Sequence, residues 1–390
     1  MQLPSLSDPA FVQNPYPTYA KAREAGPILW WDAMKMWAAF DHATVHALLR
    51  DRRMGRAPLA PRPWPEHLRP FADFEQHSML ELERPRHTRL RALVLRAFTS
   101  RRVAELTPEI EAIAQDLIAS LPDGPVDLIP AYCELLPVRV IARLLGVPED
   151  LSPDLLRWSH DMVAMYQAGR TRDIEDRAAT ATVEFTEFLT DYIAKRRATP
   201  ADDLITHLIA AEEDGEKLSA DELISTCILL LNAGHEATVH SMGNAFKCLL
   251  DHKTDRKYLE PEYIANTVEE LLRYDPPLHV FTRFVYEDCN IGTVALKRGD
   301  EIALVLGAAT RDPALCDTPD TFTPNRNPTP HTSFGGGPHF CVGAPLARLE
   351  MQIALPALMF AWPDMRLTGT PRFCNTYHFH KLDQLIAAPR

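Results

Sequence analysis

The sequence predicts a mainly α-helical protein with small β-sheets, and three observations support this class. Apolar residues recur at spacings of three and four over residues 101–121, 178–197 and 261–274, as in amphipathic helices. A longer helical segment contains no proline, and strand signals are few and late. The chain has 390 residues, of which 46% are hydrophobic, so it can bury a sizeable core. Because no shift in composition marks a boundary, we expect a single domain over residues 1–390.

The longest predicted element is a helix that starts after Ser219 and continues to about Leu250. Ser219 and Glu222 have the spacing of a capping box, in which two side chains satisfy the first free N–H groups of a helix. About thirty residues that rise roughly 1.5 Å each span some 45 Å. A helix of that length is expected to cross the core.

The strand signals lie mostly in one later region. Residues 283–286, 290–295 and 301–306 alternate or run apolar, and Gly292 and the KRGD turn at 297–300 separate them. This pattern predicts a small antiparallel sheet. Residues 28–31 and 36–40 are expected to pair near the start of the chain.

The composition argues against several classes of function. A net charge of −12 disfavours nucleic acid as a partner, since phosphate contacts require a basic surface. The chain shows no signal-peptide pattern and no run near the roughly 20 apolar residues that span a bilayer, so we expect no membrane association. Its seven cysteines lack CxxC spacing, which disfavours a disulfide framework or zinc ribbon and favours the cytoplasm.

Residues 334–343 read FGGGPHFCVG and place four glycines around Cys341. The next residues have helical periodicity with Pro345 in the first turn, so Cys341 precedes a helix N-terminus, where free N–H groups and the dipole favour a thiolate. We expect the four glycines to let N–H groups approach the sulfur. From these residues alone, Cys341 could be a nucleophile, a redox sensor or a metal ligand, and an inert cysteine is the structural alternative.

The spacing of Phe334, Gly337, His339, Cys341 and Gly343 resembles the F-x-x-G-x-H-x-C-x-G loop of the cytochrome P-450 family. The resemblance implies the fold of that family, with a long central helix over a haem and the cysteine loop beneath it. It implies haem b as cofactor and Cys341 as a catalytic residue and the iron ligand. The other residues it places at the haem are His87, Arg91, Ala233, Arg283, Phe334, Gly335, His339 and Gly343.

The segment EELLRYDPP resembles the E-x-x-R element of the same family. Glu270 and Arg273 lie three residues apart, so they share a helical face and can pair, although exposed pairs of this kind contribute little. The resemblance implies instead a buried pair joined by Arg326 in TFTPNRNP. Removing one member would then leave buried charge, at a cost of about 3 to 5 kcal/mol.

Three further basic or imidazole side chains are candidates for contact with the haem propionates. His87 and Arg91 lie four residues apart, and a solvated basic helix is the alternative interpretation. Their segment resembles the H-x-x-x-R element of the family, and Arg283 matches a later arginine with the same role. Such groups suit a carboxylate.

The segment LLLNAGHEATVHS of the long helix resembles the family's oxygen-binding element. Gly234 costs about 1 kcal/mol relative to alanine in a helix, and a packing glycine is the simple explanation. The resemblance places Gly234 near the bound oxygen and Glu236 as the acid of a proton-delivering pair. The usual alcohol is missing, because Ala237 replaces threonine and Thr238 lies one position later. We expect a substrate oxygen or a water chain to compensate.

The resemblance implies a haem-thiolate monooxygenase that inserts one atom of O2 into a small apolar or partly oxygenated organic substrate. We expect a monomer that receives electrons from a separate ferredoxin and ferredoxin reductase, and the arginines at 89, 91, 96, 101 and 102 are the candidate docking surface. The rival interpretations are a haem-thiolate peroxygenase or isomerase that needs no reductase, and a haem protein that senses gas.

The substrate itself is not specified by the sequence. The candidate pocket residues lie near the long helix, before the sheet and before His87. They are Met79, Leu80, Leu230, Leu278, Val280 and Phe281. The segment HFH at 378–380 is a further candidate, with simple solvation as its alternative.

Overall fold

The computed structural model describes residues 1–61, 63–167, 169–211, 215–376 and 379–390. It is 54% helical with small sheets, so the predicted fold class is confirmed. The HFH segment at 378–380 is only partly included, because His378 lies outside the described residues.

The α-helices are, in order, α1 (Pro9–Gln13), α2 (Tyr16–Ala25), α3 (His42–Leu48), α4 (Arg69–Glu75), α5 (Arg86–Ala97), α6 (Ser100–Glu105), α7 (Thr107–Ser120), α8 (Leu135–Leu145), α9 (Ser152–Val163), α10 (Arg172–Ala198), α11 (Leu204–Ala210), α12 (Ala220–Asp251), α13 (Ile264–Tyr274), α14 (Leu306–Ala309) and α15 (Ala344–Ala361). The strands are β1 (Ile28–Trp31), β2 (Met36–Ala39), β3 (Met54–Gly55), β4 (Val126–Asp127), β5 (Val280–Val285), β6 (Cys289–Ile291), β7 (Val294–Leu296), β8 (Glu301–Val305), β9 (Arg366–Leu367) and β10 (Ile386–Ala388).

Helix α12 is the predicted long helix, and it is buried over most of its length. Ser219 caps it, and the reciprocal hydrogen bonds between Ser219 and Glu222 form the predicted capping box. Its apolar residues join a large cluster built mainly from α5, α7–α10, α12, α13 and α15. Because α12 contacts α8, α9 and α15, it passes through the centre of the helical part.

Some predicted element boundaries were wrong. The helix expected over 101–121 is divided into α6 and α7 at Leu106, and Pro108 lies in the first turn of α7, where it requires no N–H partner. The strand expected over 290–295 is divided into β6 and β7 by a turn at Gly292, whose φ is +57°.

The main sheet is larger and more mixed than predicted. Its five strands run in the order β1-β2-β8-β5-β3. The β1–β2, β5–β8 and β3–β5 pairs are antiparallel, but β2 and β8 are parallel. The pairing near the chain start is thus confirmed. The single antiparallel sheet expected over the three later segments is wrong, because β5 and β8 join the N-terminal strands whereas β6 and β7 form a separate two-stranded sheet. Among the described residues, no helix has the length and apolar character needed to cross a bilayer.

Candidate active site

The cysteine loop is closed by its own backbone and leads into α15. The Cys341 N–H donates to the Phe334 carbonyl at 3.0 Å, and Gly343 is the N-cap of α15. The guanidinium of Arg348, on the first turns of α15, lies 4.4 Å from the centre of the Phe334 ring. Cys341 keeps solvent-exposed surface, whereas Cys133, Cys227, Cys248 and Cys289 are buried.

Backbone geometry explains two of the glycines in this loop. Gly335 and Gly337 have φ values of +70° and +66°, which glycine adopts without strain. A Cβ atom on Gly337 would lie 2.3 Å from the Leu49 carbonyl oxygen, so the loop packs tightly on the end of α3. A Cβ atom on Gly343 would lie 3.8 Å from the Cys341 sulfur. The N–H groups of Gly343 and Ala344 act on the Cys341 sulfur, which fits the expected role of Gly343. The approach of N–H groups at Gly335, Gly336 and Gly337 to the sulfur stays a prediction.

The ionisation of Cys341 also differs from the expectation. Desolvation of the Cys341 thiol by the surrounding protein raises its pKa, although part of the residue remains exposed to solvent. The N–H groups of Gly343 and Ala344 and the charge of Arg91 act in the opposite direction, but they do not outweigh desolvation. A bound metal cation would reverse this balance, because a coordinating thiol is deprotonated.

One face of α12 is accessible in the middle of an otherwise buried helix. Within residues 225–246, only four residues are not fully buried: Leu230, Ala233, Gly234 and Ala237. Their spacing of i, i+3, i+4 and i+7 places them on a single stripe. We call these four residues the α12 stripe. A Cβ atom on Gly234 would lie 3.3 Å from the Ile141 side chain on α8, so close helix packing also favours glycine there.

Glu236 does not lie on this stripe but in a buried group of histidines. Its carboxylate oxygens lie 3.3 Å from His160 Nε2, 3.6 Å from His235 Nε2 and 3.4 Å from His240 Nε2. Burial by itself would raise the pKa of Glu236, but the three histidines outweigh it and lower the pKa to about 2. His160 belongs to α9 and is partly exposed, so it links Glu236 to the surface.

Thr238 is turned away from the stripe. It is 3% exposed, and its hydroxyl donates to the Gly234 carbonyl at 3.3 Å. This backbone bond is common for a threonine inside a helix. Thr238 therefore does not occupy the position that Ala237 leaves without an alcohol.

His87 and His339 are brought together, with a carboxylate that sequence reasoning missed. Their ring centres lie 4.2 Å apart, and His339 Nε2 is 3.0 Å from Glu83 Oε1. Burial lowers the pKa of His87 to about 4, with a further contribution from His339, so His87 is neutral. The Glu83 carboxylate also accepts the N–H of Arg56 at 2.7 Å. No motif in the sequence singled out Glu83.

Arg91 and Arg283 provide the cationic groups near this region. Arg91 Nη2 donates to the Phe340 carbonyl of the cysteine loop at 2.6 Å. Arg283 is only 3% exposed, and among the described residues its guanidinium donates a single hydrogen bond, to the Thr282 carbonyl at 2.8 Å. Burial, followed by repulsion from Arg56, lowers the pKa of Arg283 to about 10. Within the described part of the chain no carboxylate lies in salt-bridge range of Arg283, and the charges of Glu83 and Glu81 act on it only from farther away. Arg283 is therefore suited to an external anion such as a haem propionate.

Glu270, Arg273 and Arg326 form one buried network. Arg273 donates to the two Glu270 oxygens at 2.6 and 2.9 Å, and Arg326 Nε donates to Glu270 at 3.2 Å. Arg273 also donates to the carbonyls of Thr310 and Pro319. The network therefore fixes α13 to the chain that leads toward the cysteine loop.

The candidate pocket residues do not form one group. Met79, Leu80 and Leu230 contact the large apolar cluster that contains α12. Val280 belongs instead to a separate cluster near the N-terminus, while Phe281 packs beside the Cys loop at Gly335. Adjacent strand residues point to opposite faces, so Val280 and Phe281 cannot line one pocket. Leu278 makes an isolated bridge with Phe379.

Comparisons with known proteins agree with this architecture. The sequence model of the family described as Cytochrome P450 matches residues 159–262 and 254–362. Cytochrome P450 107B1 of Saccharopolyspora erythraea is 39% identical, with 93% of this chain and 91% of the relative covered. The 6-deoxyerythronolide B hydroxylase of the same organism is 35% identical, with 94% and 93% covered. A structure of P450BioI with an acyl carrier protein that carries hexadec-9Z-enoic acid has a TM-score of 0.92 and 32% identity, over 97% of this chain and 99% of that one.

The fold and the cysteine loop define an oxidoreductase of the haem-thiolate class. The chain belongs to the cytochrome P450 family. It is a P450 monooxygenase in the general sense that its relatives define, acting on a small molecule with O2.

Proposed function

We propose that this chain binds haem b through Cys341 and hydroxylates a small organic substrate with electrons from a separate ferredoxin and its reductase. The observation that carries the proposal is the combination of an exposed Cys341 at the start of α15 with the α12 stripe, which is accessible inside a buried helix. When bound, thiolate-ligated haem supplies the activation of O2. The name of the hydroxylase relative supports oxygen insertion as the reaction.

The chain's own residues hold the propionate edge of the cofactor in this proposal. Arg283 is buried without a carboxylate partner among the described residues, and Arg91 lies against the cysteine loop. The neutral imidazole of His87 can donate one hydrogen bond. His339 is bonded to Glu83, so it contacts a propionate only through its remaining ring edge or after that bond breaks.

Glu236 is proposed to pass protons from the surface toward the α12 stripe. His160 has a side chain that is 44% exposed and lies 3.3 Å from the Glu236 carboxylate, which gives a short route from solvent. Thr238 is bonded to the backbone, so the last step depends on a water molecule or on a substrate oxygen near Ala237.

The substrate is proposed to be small and apolar or partly oxygenated. Ala233, Gly234 and Ala237 leave room along the stripe, and the partly exposed Leu230 extends it with an apolar side chain. Such a surface orients ligands through shape and a few polar contacts. An oxygen on the substrate near Ala237 would replace the missing threonine hydroxyl.

The ferredoxin surface is proposed to use only part of the arginine segment. Arg89 is paired with Glu222 and Glu216, and Arg101 is paired with Glu105, so their charges are partly neutralised. Arg102 has a looser contact with the exposed Asp202 at 3.6 Å. Charge reversal at Arg96 and Arg102 should slow reduction at low salt, and an unchanged rate would contradict this docking surface.

The decisive experiment is a spectrum of the reduced protein with carbon monoxide. Wild type is expected to show the red-shifted Soret band of thiolate ligation, and Cys341→Ser is expected to lack it while a Cys316→Ser control retains it. Turnover should then require both ferredoxin and reductase. A colourless wild-type protein, or the same spectrum in Cys341→Ser, would refute the proposal, and full turnover with peroxide alone would favour a peroxygenase.

A further inference from the structure

The Nε2 atoms of His160 and His235 both approach one carboxylate oxygen of Glu236, at distances longer than typical hydrogen bonds. Oε1 of Glu236 lies 3.3 Å from His160 Nε2 and 3.6 Å from His235 Nε2. Hydrogen bonds between nitrogen and oxygen are normally about 2.7 to 3.2 Å long. Glu236 Oε1 and His235 Nε2 are both buried and have no hydrogen-bond partner within the described residues.

The proton on His235 is fixed by the backbone. Its Nδ1 lies 3.1 Å from the Leu231 carbonyl oxygen, and a carbonyl only accepts, so Nδ1 carries the hydrogen. Burial lowers the pKa of His235 and favours the neutral ring, in which Nε2 directs a lone pair toward the Glu236 carboxylate. Two acceptors face each other unless a cation lies between them. Histidines that bind metals usually donate their other N–H in this way.

We propose that His160, His235 and Glu236 bind a divalent transition-metal cation, for which zinc is the best match. Ligands about 2.0 to 2.1 Å from a tetrahedral zinc lie roughly 3.3 to 3.4 Å from each other, close to the distances from Glu236 Oε1. The three ligand atoms all lie within 4.8 Å of one another. Two nitrogens and one carboxylate leave a fourth position for water.

The surroundings of the cluster favour a cation and give it access. The charges of both His160 and Glu236 act on the carboxyl group of Glu134, so a second acidic side chain lies near the site. His240 Nε2 lies 3.4 Å from the other Glu236 oxygen and can orient it. The His160 side chain is 44% exposed, whereas His235 is fully buried, so a cation would enter from the α9 side.

A second cluster in the chain shows the contrast. Asp275, His279 and His380 also lie close enough to ligate a metal. There, however, Asp275 Oδ1 accepts the Tyr16 hydroxyl at 2.5 Å and lies 2.9 Å from His380 Nδ1. Its carboxylate is satisfied by ordinary hydrogen bonds and does not need an ion, although His380 Nε2 has no partner within the described residues.

A cation at the first site would also inhibit the enzyme. Bound zinc would hold the Glu236 carboxylate and prevent proton transfer through it. This consequence rests on the proposed proton role of Glu236, whereas binding of the cation does not. The two can therefore fail separately.

The test is calorimetric titration of Zn²⁺ into the haem-loaded protein, compared among wild type, His160→Gln, His235→Gln and His207→Gln. His207 pairs with the exposed Asp202 outside the cluster and serves as the matched control. Wild type and His207→Gln should bind one equivalent equally. Replacement of His160 or His235 should weaken zinc binding at least about 10- to 100-fold, because replacing a residue that only orients a metal ligand already has an effect of that size. Zinc-edge absorption spectra should show nitrogen and oxygen neighbours near 2.0 to 2.1 Å.

Two results would overturn the site. One is no zinc uptake by wild type at micromolar concentration, and the other is wild-type affinity in His160→Gln. His160 is partly exposed, so this variant should fold even if His235→Gln does not, and the carbon monoxide spectrum verifies its integrity. Zinc that binds as expected but leaves turnover unchanged would retain the metal site and reject the proton role of Glu236.

Discussion

Replacement of Glu270 by glutamine tests the buried network that fixes α13. Glu270 is 3% exposed and Arg273 is 1% exposed. The Glu270 carboxylate accepts two bonds from Arg273, one from Arg326 and one from the N–H of Thr323 at 2.9 Å. Glutamine keeps the shape but loses the charge and one acceptor. Two guanidinium groups then share one neutral oxygen.

The expected destabilisation is about 3 kcal/mol, at the lower end of the roughly 3 to 5 kcal/mol lost when one partner of a buried ion pair is removed. The lower end applies because the amide oxygen still accepts hydrogen bonds, and because Arg326 retains the Thr318 and Thr321 carbonyls as acceptors. Glu262→Gln is the control, because Glu262 is exposed and lies two residues before the start of α13. It should change stability by less than about 0.5 kcal/mol.

Urea unfolding of the haem-loaded protein, followed by both Soret absorbance and tryptophan fluorescence, measures the change. An Arg326→Met variant and the double variant complete a cycle, and contact between the two residues predicts a coupling energy of about 0.5 to 3 kcal/mol. A loss below about 1 kcal/mol in Glu270→Gln, or strictly additive effects, would refute the argument that burial makes this pair strong.

Three further predictions concern haem binding, proton delivery and pH. Arg283→Leu should speed the loss of haem to a scavenging apoprotein by at least about 10-fold if a propionate is its partner, whereas the exposed Arg298→Leu should not; equal rates would reject that role. Ala237→Thr should raise the fraction of electrons that reach product, and unchanged coupling would show that the missing alcohol is irrelevant. Burial raises the pKa of Glu350 well above its ordinary value. The folded state thus keeps a proton that the unfolded state loses above about pH 4.3. The free energy of unfolding should therefore fall by up to about 1.4 kcal/mol for each unit by which the pH rises. The urea midpoint of wild type should therefore fall between about pH 5 and about pH 7, and Glu350→Gln should remove this part of the pH dependence. An equal fall in the two proteins would contradict the prediction.

The local parts of the fold were predictable, whereas distant pairings were not. The start of α12 follows from the Ser219 and Glu222 capping box, because both partners lie within one turn. The parallel pairing of β2 with β8 joins segments that are far apart in the chain, for example Ala38 with Ala303. No local pattern encodes such a pair, since it depends on how the intervening helices pack.

The same distinction applies to the site. The motif around Cys341 is contiguous, so its place before α15 could be read from the sequence. The partners of the ionisable groups are distant in sequence, as in the contacts of His339 with Glu83 and of His160 with Glu236. The sign of the Cys341 pKa shift was also missed, because desolvation depends on all surrounding elements and the helix N-terminus is only one contributor.

The geometry of α12 explains why Thr238 does not compensate for Ala237. Successive helical residues differ in direction by about 100°. Ala237 lies on the accessible stripe, while Thr238 is buried and its hydroxyl donates to the Gly234 carbonyl. Rotation of Thr238 toward the stripe would break that bond without moving its Cβ to the correct side. In the proposed mechanism, the group that completes a proton path at Ala237 therefore comes from outside the helix, from the substrate or from bound water.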